Sequence, residues 1–295
     1  MQRRRADRIV RGALLVAGAL IAACFVAGRL AGDPSFPPTW LYQLLPLLGA
    51  VTGFARLDVA RLARRDRSTT VYLLFCLALL CWGLSGLLYA WQAVAAGVPP
   101  AFPSPGDVGF FAGGVVWAAA VWTLYEGVVP DFLTEVEANS WLLSWMALVT
   151  LFVLSIAGGA DLLEAIKTGG NTLQIASLSY PLLYGFSALM LARLARRRVP
   201  PTILDGRRAL KIVAMGLGLF YLGQMTFETL VTLAPHPSGS YETYRNDQPA
   251  YALWALATLV LSWGVLEYPL ARPVVRQQPL ATESTSESAD AGRKS

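Results

Sequence analysis

The sequence predicts an all-α fold, a polytopic membrane helix bundle of about eight transmembrane helices arranged as four hairpins, with both termini on the cytoplasmic side. Three observations predict it. Of the 295 residues, 55% are hydrophobic and only 15% charged, with a mean hydropathy of +0.49, where soluble domains carry about a quarter charged residues. Apolar runs recur at lengths near the roughly 20 residues that a helix needs to cross a hydrocarbon core. The runs are continuously apolar and do not alternate, which favours helices over a β-barrel.

The eight segments lie at about 12–31, 40–57, 70–96, 108–126, 140–159, 172–192, 212–233 and 250–268. The first follows Arg3, Arg4, Arg5 and Arg8, like the charged start of a signal peptide. Its Ala-rich core runs on to Arg29 without a small-x-small cleavage site before a polar domain, so it reads as a retained signal anchor. Residues 1–11 form a basic cytoplasmic N-terminus, 12–270 the bundle and 271–295 a polar tail rich in Ser, Thr and Glu, expected to be disordered and too short to hold an output domain. "DLLEAIKTGG" at 161–170 has the composition of one interfacial turn.

The 24 Lys and Arg against 19 Asp and Glu do not form a nucleic-acid surface. Five bases precede the first segment, five lie from Arg56 to Arg67, seven from Arg193 to Lys211 and four after the last segment, leaving only Arg29, Lys167 and Arg245 for the outer side. This positive-inside distribution sets the N-in, C-in orientation. The loop at 127–139 holds Asp131, Glu135 and Glu137 and no base, but acidic residues weigh little in this rule.

Within that frame a few polar residues stand out. In "AFPSPGDVGFFAGG", Ser104 is placed to cap a helix, with Pro105 at its first position and Asp107 at its third, the spacing of a capping box. The carboxylate faces the positive end of the helix dipole, and the same placement aims it at an outward-facing cavity, so both cap and ligand roles stay open. Glu228 sits near the outer end of the seventh segment, with Gln224 one turn below. Intramembrane carboxylates mark function or a buried partner, here Arg245, Tyr241 or Gln174, and the alternative is a carboxylate hydrated at the interface. His236 is the sole histidine and lacks the further ligands that a metal needs. Cys24, Cys76 and Cys81 have no CxxC spacing and read as packing residues. The nine tryptophans suit interfacial belts and core packing. "GLSG" at 83–86 and "GLGLFYLG" at 216–223 read as close helix contacts. There is no phosphate-binding glycine loop, HExxH, nucleophile elbow or proton-relay series of acids, so no cofactor is implied and an enzyme is disfavoured.

The returning segments open on related stretches, "PPTWLYQLLPLLGA" at 37–50, "PSPGDVGFFAGGVVWAAAVW" at 103–122, "SLSYPLLYGFSALMLARL" at 177–194 and "YRNDQPAYALWALATLVLSW" at 244–263, a loose repeat of hairpins. Pro103, Ser104 and Asp107, then Ser177, Leu178, Tyr180 and Pro181, then Gly239, Ser240, Tyr241, Asp247 and Trp254 resemble the motifs of the multi-helix sensory module found N-terminal to bacterial diguanylate cyclase (GGDEF), EAL and histidine-kinase domains. The resemblance covers roughly 70–270, with Tyr184 standing near the place of that family's second acidic residue and no output domain after the last segment. It implies a stand-alone sensory or accessory protein of the bacterial inner membrane, binding a small or lipidic signal near the outer face and acting on a separate membrane or cytoplasmic partner. On that sensor reading the candidate pocket residues are Asp107, Tyr180, Gln224, Glu228, Tyr241 and Asp247. The competing expectations are a scaffold subunit of a larger membrane complex and, less favoured, a transporter or lipid-modifying enzyme; the bilayer is a partner in all of them and nucleic acid in none.

Overall fold

Seven helices and a 3-10 turn account for nearly all of the residues described by a computed structural model, which are 2–31, 39–57, 66–96, 104–126, 172–196, 206–233 and 249–270. In chain order they are α1 (Gln2–Ala31), a 3-10 turn (Thr39–Gln43), α2 (Leu44–Ala55), α3 (Arg67–Ala96), α4 (Pro105–Glu126), α5 (Thr172–Arg196), α6 (Arg207–Leu233) and α7 (Pro249–Glu267). No strand occurs among the described residues. The predicted segment at 140–159, the acidic loop at 127–139, the 161–170 turn, His236 and the tail at 271–295 lie outside them.

Among the described residues, five helical stretches are long and apolar enough to cross a membrane: Ile9–Gly28, Arg67–Ala96, Pro105–Glu126, Arg207–Phe227 and Pro249–Glu267. The second predicted span is instead a shorter apolar helix, Leu41–Ala55. Its α-helical part, at 1.5 Å per residue, reaches only about 18 Å. Pro46 falls in the first turn of α2, where its missing N–H leaves no helical bond unmade. The helix α1 begins at Gln2, so the basic stretch expected as a separate segment is the first turns of the helix itself. No proline interrupts Gln2–Ala31, and its arginines and alanines are good helix formers. The start of α3 is fixed by Asp66, whose carboxylate accepts from the Thr69 N–H at 2.8 Å and from the Thr69 hydroxyl at 2.8 Å.

The helices close into a ring. Each of α2 to α7 packs on the next, and α7 returns onto α2. α3 with α4 and α6 with α7 form two of the expected hairpins as closely packed pairs. The first expected hairpin does not pack as one, because α1 lies outside the ring chiefly against α7 and touches α2 only lightly.

Glycines set the closest approaches. A Cβ at Gly216 would stand 3.0 Å from the Leu261 amide nitrogen, and one at Gly264 3.0 Å from that of Val213, so α6 and α7 are packed backbone to backbone at two levels. Across the α2–α7 contact the Ser262 hydroxyl donates to the Leu45 carbonyl at 3.0 Å. Gly218 departs from the expected pattern, since a Cβ there would meet nothing within 4 Å.

The ring has no open axis. Trp82, Tyr184 and Phe220 meet at its centre, with ring centroids 5.7 Å apart for Trp82–Tyr184, 4.4 Å for Tyr184–Phe220 and 4.1 Å for Trp82–Phe220. Tyr184, buried completely, donates its hydroxyl to the Phe110 carbonyl at 2.9 Å and so fastens α5 to α4. The outer surface is as apolar as the interior, with Leu15, Leu20, Val115, Met215 and Leu222 among the exposed side chains. In water such a surface would be a liability; against lipid it is the favoured state.

Candidate functional site

The bundle has two chemically different ends. The basic end carries the start of α1, the ends of α2, α5 and α7 and the starts of α3 and α6. Here Arg11 Nη1 donates to Glu267 Oε1 at 2.6 Å, joining α1 to the last residue of α7. Arg56, just past α2, donates from Nη1 to the Leu266 carbonyl at 2.6 Å and lies 3.3 Å from the Tyr72 hydroxyl. Its guanidinium stands 5.6 Å from the Tyr72 ring centre, and Tyr72 stacks on Tyr268 at 6.2 Å. Two arginines thus meet the carbonyls and the negative dipole end of α7, where cations are favoured.

At the opposite end the 85–92 stretch of α3 is the scaffold. The Gln43 side-chain amide occupies the space that any side chain at Gly86 would need. Gly106, in the first turn of α4, packs so that a Cβ would come 3.1 Å from the Ser85 carbonyl and 3.2 Å from Tyr89 Cβ. The Trp254 indole of α7 lies on Gly223 of α6, where a Cβ would approach the ring nitrogen to 2.9 Å. Tyr251 contacts the Trp254 ring at 5.2 Å and the Tyr42 ring at 6.4 Å, and Phe227 approaches Trp254 at 5.5 Å. The aromatic floor therefore joins the 3-10 turn, α6 and α7.

Four buried side-chain atoms at this end have no hydrogen-bond partner: Gln43 Oε1, Gln92 Oε1, Ser104 Oγ and Trp254 Nε1. An unsatisfied buried polar group costs about 1–3 kcal/mol, and native structures hold few of them. Amide oxygens, a hydroxyl and an indole donor are groups that hydrogen-bond a small polar or amphipathic molecule, and aromatic rings such as Tyr42, Tyr251 and Trp254 can stack on one.

The predicted pocket residues are only partly visible here. Asp107 lies in the first turn of α4, 7% exposed, and its Oδ2 accepts from the Ser104 N–H at 2.6 Å. The reach-back arm of the capping box is therefore made. The forward arm is not: the Asp107 N–H bonds the Ser104 carbonyl at 3.0 Å, and the Ser104 hydroxyl is left over. Gln224 is buried on α6, one residue beyond the Gly223–Trp254 contact. Asp107 and Gln224 so come to the same end of the ring, on helices separated by α5. Tyr180 lies on α5 and Glu228 on α6, with side chains outside the described residues; Tyr241 and Asp247 lie outside them altogether.

Gln43, Gln92 and Trp254 are not among the residues that sequence reasoning chose as pocket-lining. An amide immediately before the apolar run "LLPLLGA" was the available signal for Gln43. The Arg11–Glu267 pair offered none, since its members are 256 residues apart.

Among the described residues no group of three or more His, Cys, Asp and Glu could hold a metal ion. Cys24, Cys76 and Cys81 are free thiols. Comparison of the chain with protein-family models, with characterised proteins and with solved structures gives no match.

Proposed function

We propose that this chain is an integral membrane sensory or accessory protein of the bacterial inner membrane, with eight spans and both termini in the cytoplasm. It takes a small or lipidic signal at the end of the bundle remote from the basic residues. The observation that carries the reading is that Gln43 Oε1, Ser104 Oγ and Trp254 Nε1 are buried without hydrogen-bond partners in the half of the bundle that also holds the Tyr42–Tyr251–Trp254 ring contacts. Leaving buried polar groups without partners is costliest where water is excluded, so a ligand that bonds them gains those hydrogen bonds.

The route to a partner runs through the packing. Trp254 and Glu267 belong to the same helix, so a ligand that shifts the start of α7 acts on its clamped end beside Arg11 and Arg56. The resemblance of Ser104–Asp107, Tyr180–Pro181 and Tyr241–Trp254 to the openings of bacterial sensory modules supports the same reading, with the output carried by a separate protein. The bias of 21 of the 24 basic residues toward one side supports the orientation.

Thermal unfolding of the purified chain against a panel of small polar and amphipathic compounds tests the role. A compound that raises Tm in the native protein and not in a Trp254→Phe variant fulfils it. Purification as a stoichiometric complex, with no compound able to stabilise the isolated chain, replaces it by the scaffold reading. Reporter fusions after Arg198 and Arg276 are expected on the cytoplasmic side and one after Ser238 outside; a cytoplasmic Ser238 overturns the orientation.

A further inference from the structure

A second feature lies on the outside of the ring, on helices α5 and α6. Between α5 and α6 runs an open groove of about 670 Å³. Its floor is made of Gly185, Ala188, Ala192, Ala214 and Gly218, with Met215 and Leu222 on its rim. Arg196 and Lys211 stand at one end, where α5 stops and α6 starts. Both are exposed, and neither makes an ion pair or hydrogen bond among the described residues. The residue 218 position, so close to the tight α6–α7 glycines, opens onto free space because it faces this groove and not a helix.

We infer that this groove binds an anionic phospholipid, its phosphate held by Arg196 and Lys211 and one acyl chain laid along the small-residue floor. Three observations converge on that occupant. The charge is complementary to a phosphodiester, and basic pockets between transmembrane helices at the cytoplasmic side are suited to anionic headgroups. Apart from the Tyr221 phenol the rest of the lining is apolar, and its exposed rim is of the kind that meets lipid. The length fits as well: from Lys211 to Leu222 the helix rises about 16 Å, close to half of the roughly 30 Å hydrocarbon core, which is the depth of one leaflet's acyl chain. Small side chains at 185, 188, 192, 214 and 218 are what leave room for the chain to lie between the helices. The inference needs the chain to be embedded in a bilayer and does not need the sensory role.

Titration of the purified full-length protein with phosphatidylglycerol or phosphatidylcholine in detergent, read by native mass spectrometry and by Tm, tests it. Each cation close to an anionic surface favours binding severalfold, so two predict a preference for phosphatidylglycerol on the order of tenfold. The double variant Arg196→Gln, Lys211→Gln should reduce that preference to within about twofold, by the same reasoning. Gly218→Leu, which fills open space, should remove tight binding of both lipids and keep the fold. Glycerol phosphate at the same concentration should not raise Tm. A photoreactive residue in place of Met215 should label phospholipid in native membranes. Equal binding of the two lipids, equal stabilisation by glycerol phosphate, or insensitivity to Gly218→Leu in a folded protein overturns the inference. So does a photoproduct joining position 215 to residues 140–159 or to a second copy of the chain.

Discussion

Arg11 and Glu267 meet at 2.6 Å near opposite ends of the sequence, and their ion pair links the first helix to the last. The two side chains are 29% and 15% exposed, so the pair is neither a screened surface contact nor a fully desolvated one. The pair adds to apolar packing, since Leu14 and Ile21 of α1 are buried in the core and Gly18 packs against Leu259 of α7. A double-mutant cycle of Arg11→Gln and Glu267→Gln should give a coupling of about 1 kcal/mol. Thermal unfolding of the four proteins in one detergent measures it; additivity of the two single variants would show that α1 is held by apolar packing alone.

Arg56 acts on the same end by a different bond. It donates to the Leu266 carbonyl while lying over Tyr72, a combination of a planar charged donor and a ring face that lysine does not reproduce. Arg56→Lys is expected to cost about 1–2 kcal/mol, the worth of a charge-assisted hydrogen bond. If the clamped end of α7 is the output, the variant should also uncouple ligand binding from partner response. An Arg56→Lys protein with unchanged Tm and unchanged response would remove this arginine from both roles.

The glycines of α6 and α7 give a contrast within one helix pair. Gly264→Ala places a Cβ 2.8 Å from Val213 Cγ2 and 3.0 Å from a backbone nitrogen that cannot swing away, so the helices must separate. Gly218→Ala meets open space and removes a residue of poor helix propensity. The first should lower Tm, with a cost of about 1–3 kcal/mol. The second should raise it, by about 0.5–1 kcal/mol. Unfolding curves that move in the same direction for both would contradict the backbone-to-backbone packing.

What the sequence made legible, and what it hid, divides along physical lines. The apolar runs at 70–96, 108–126, 212–233 and 250–268 are helices because length and hydropathy are local properties, readable one segment at a time. The Ser104–Asp107 cap was readable for the same reason, being four residues long. The shortness of α2 was not, since "WLYQLLPLLGAVTGFA" is apolar throughout and only the 3-10 turn over Thr39–Gln43 shortens the α-helix. Gly216 and Gly218 look alike in "GLGLFYLG", yet one touches Leu261 and the other a groove; which face each presents depends on the ring order, a property of all the helices together. The unpartnered atoms of Gln43 and Trp254 were hidden in the same way, because satisfaction of a polar group is decided by its neighbours in space.

The start of α4 supplies the sharpest test of the proposed pocket, because two adjacent polar groups there have opposite hydrogen-bonding status. Asp107 bonds the Ser104 N–H, so its carboxylate satisfies a helix-end donor and sits at the favourable end of the helix dipole. Asp107→Ala should therefore cost about 0.5–2 kcal/mol, and Asp107→Asn less, since the amide oxygen can still accept. The Ser104 hydroxyl is 2% exposed, lies beside the Asp107 carboxylate and has no well-formed hydrogen bond, so it contributes less to the cap than the Asp107 carboxylate does. Ser104→Ala should leave Tm unchanged or raise it, as an unsatisfied buried polar atom is removed. Function should follow the reverse order. A ligand that bonds the free hydroxyl loses that bond in Ser104→Ala, so its Kd should rise about 5- to 20-fold, corresponding to about 1–2 kcal/mol, in a protein that is no less stable. Asp107→Asn, with the cap largely kept, should bind the ligand nearly as the native protein does. The measurement is ligand-dependent Tm for the three variants side by side. If Ser104→Ala destabilises the protein as much as Asp107→Ala and leaves ligand response intact, the hydroxyl is a structural cap and the pocket lies elsewhere.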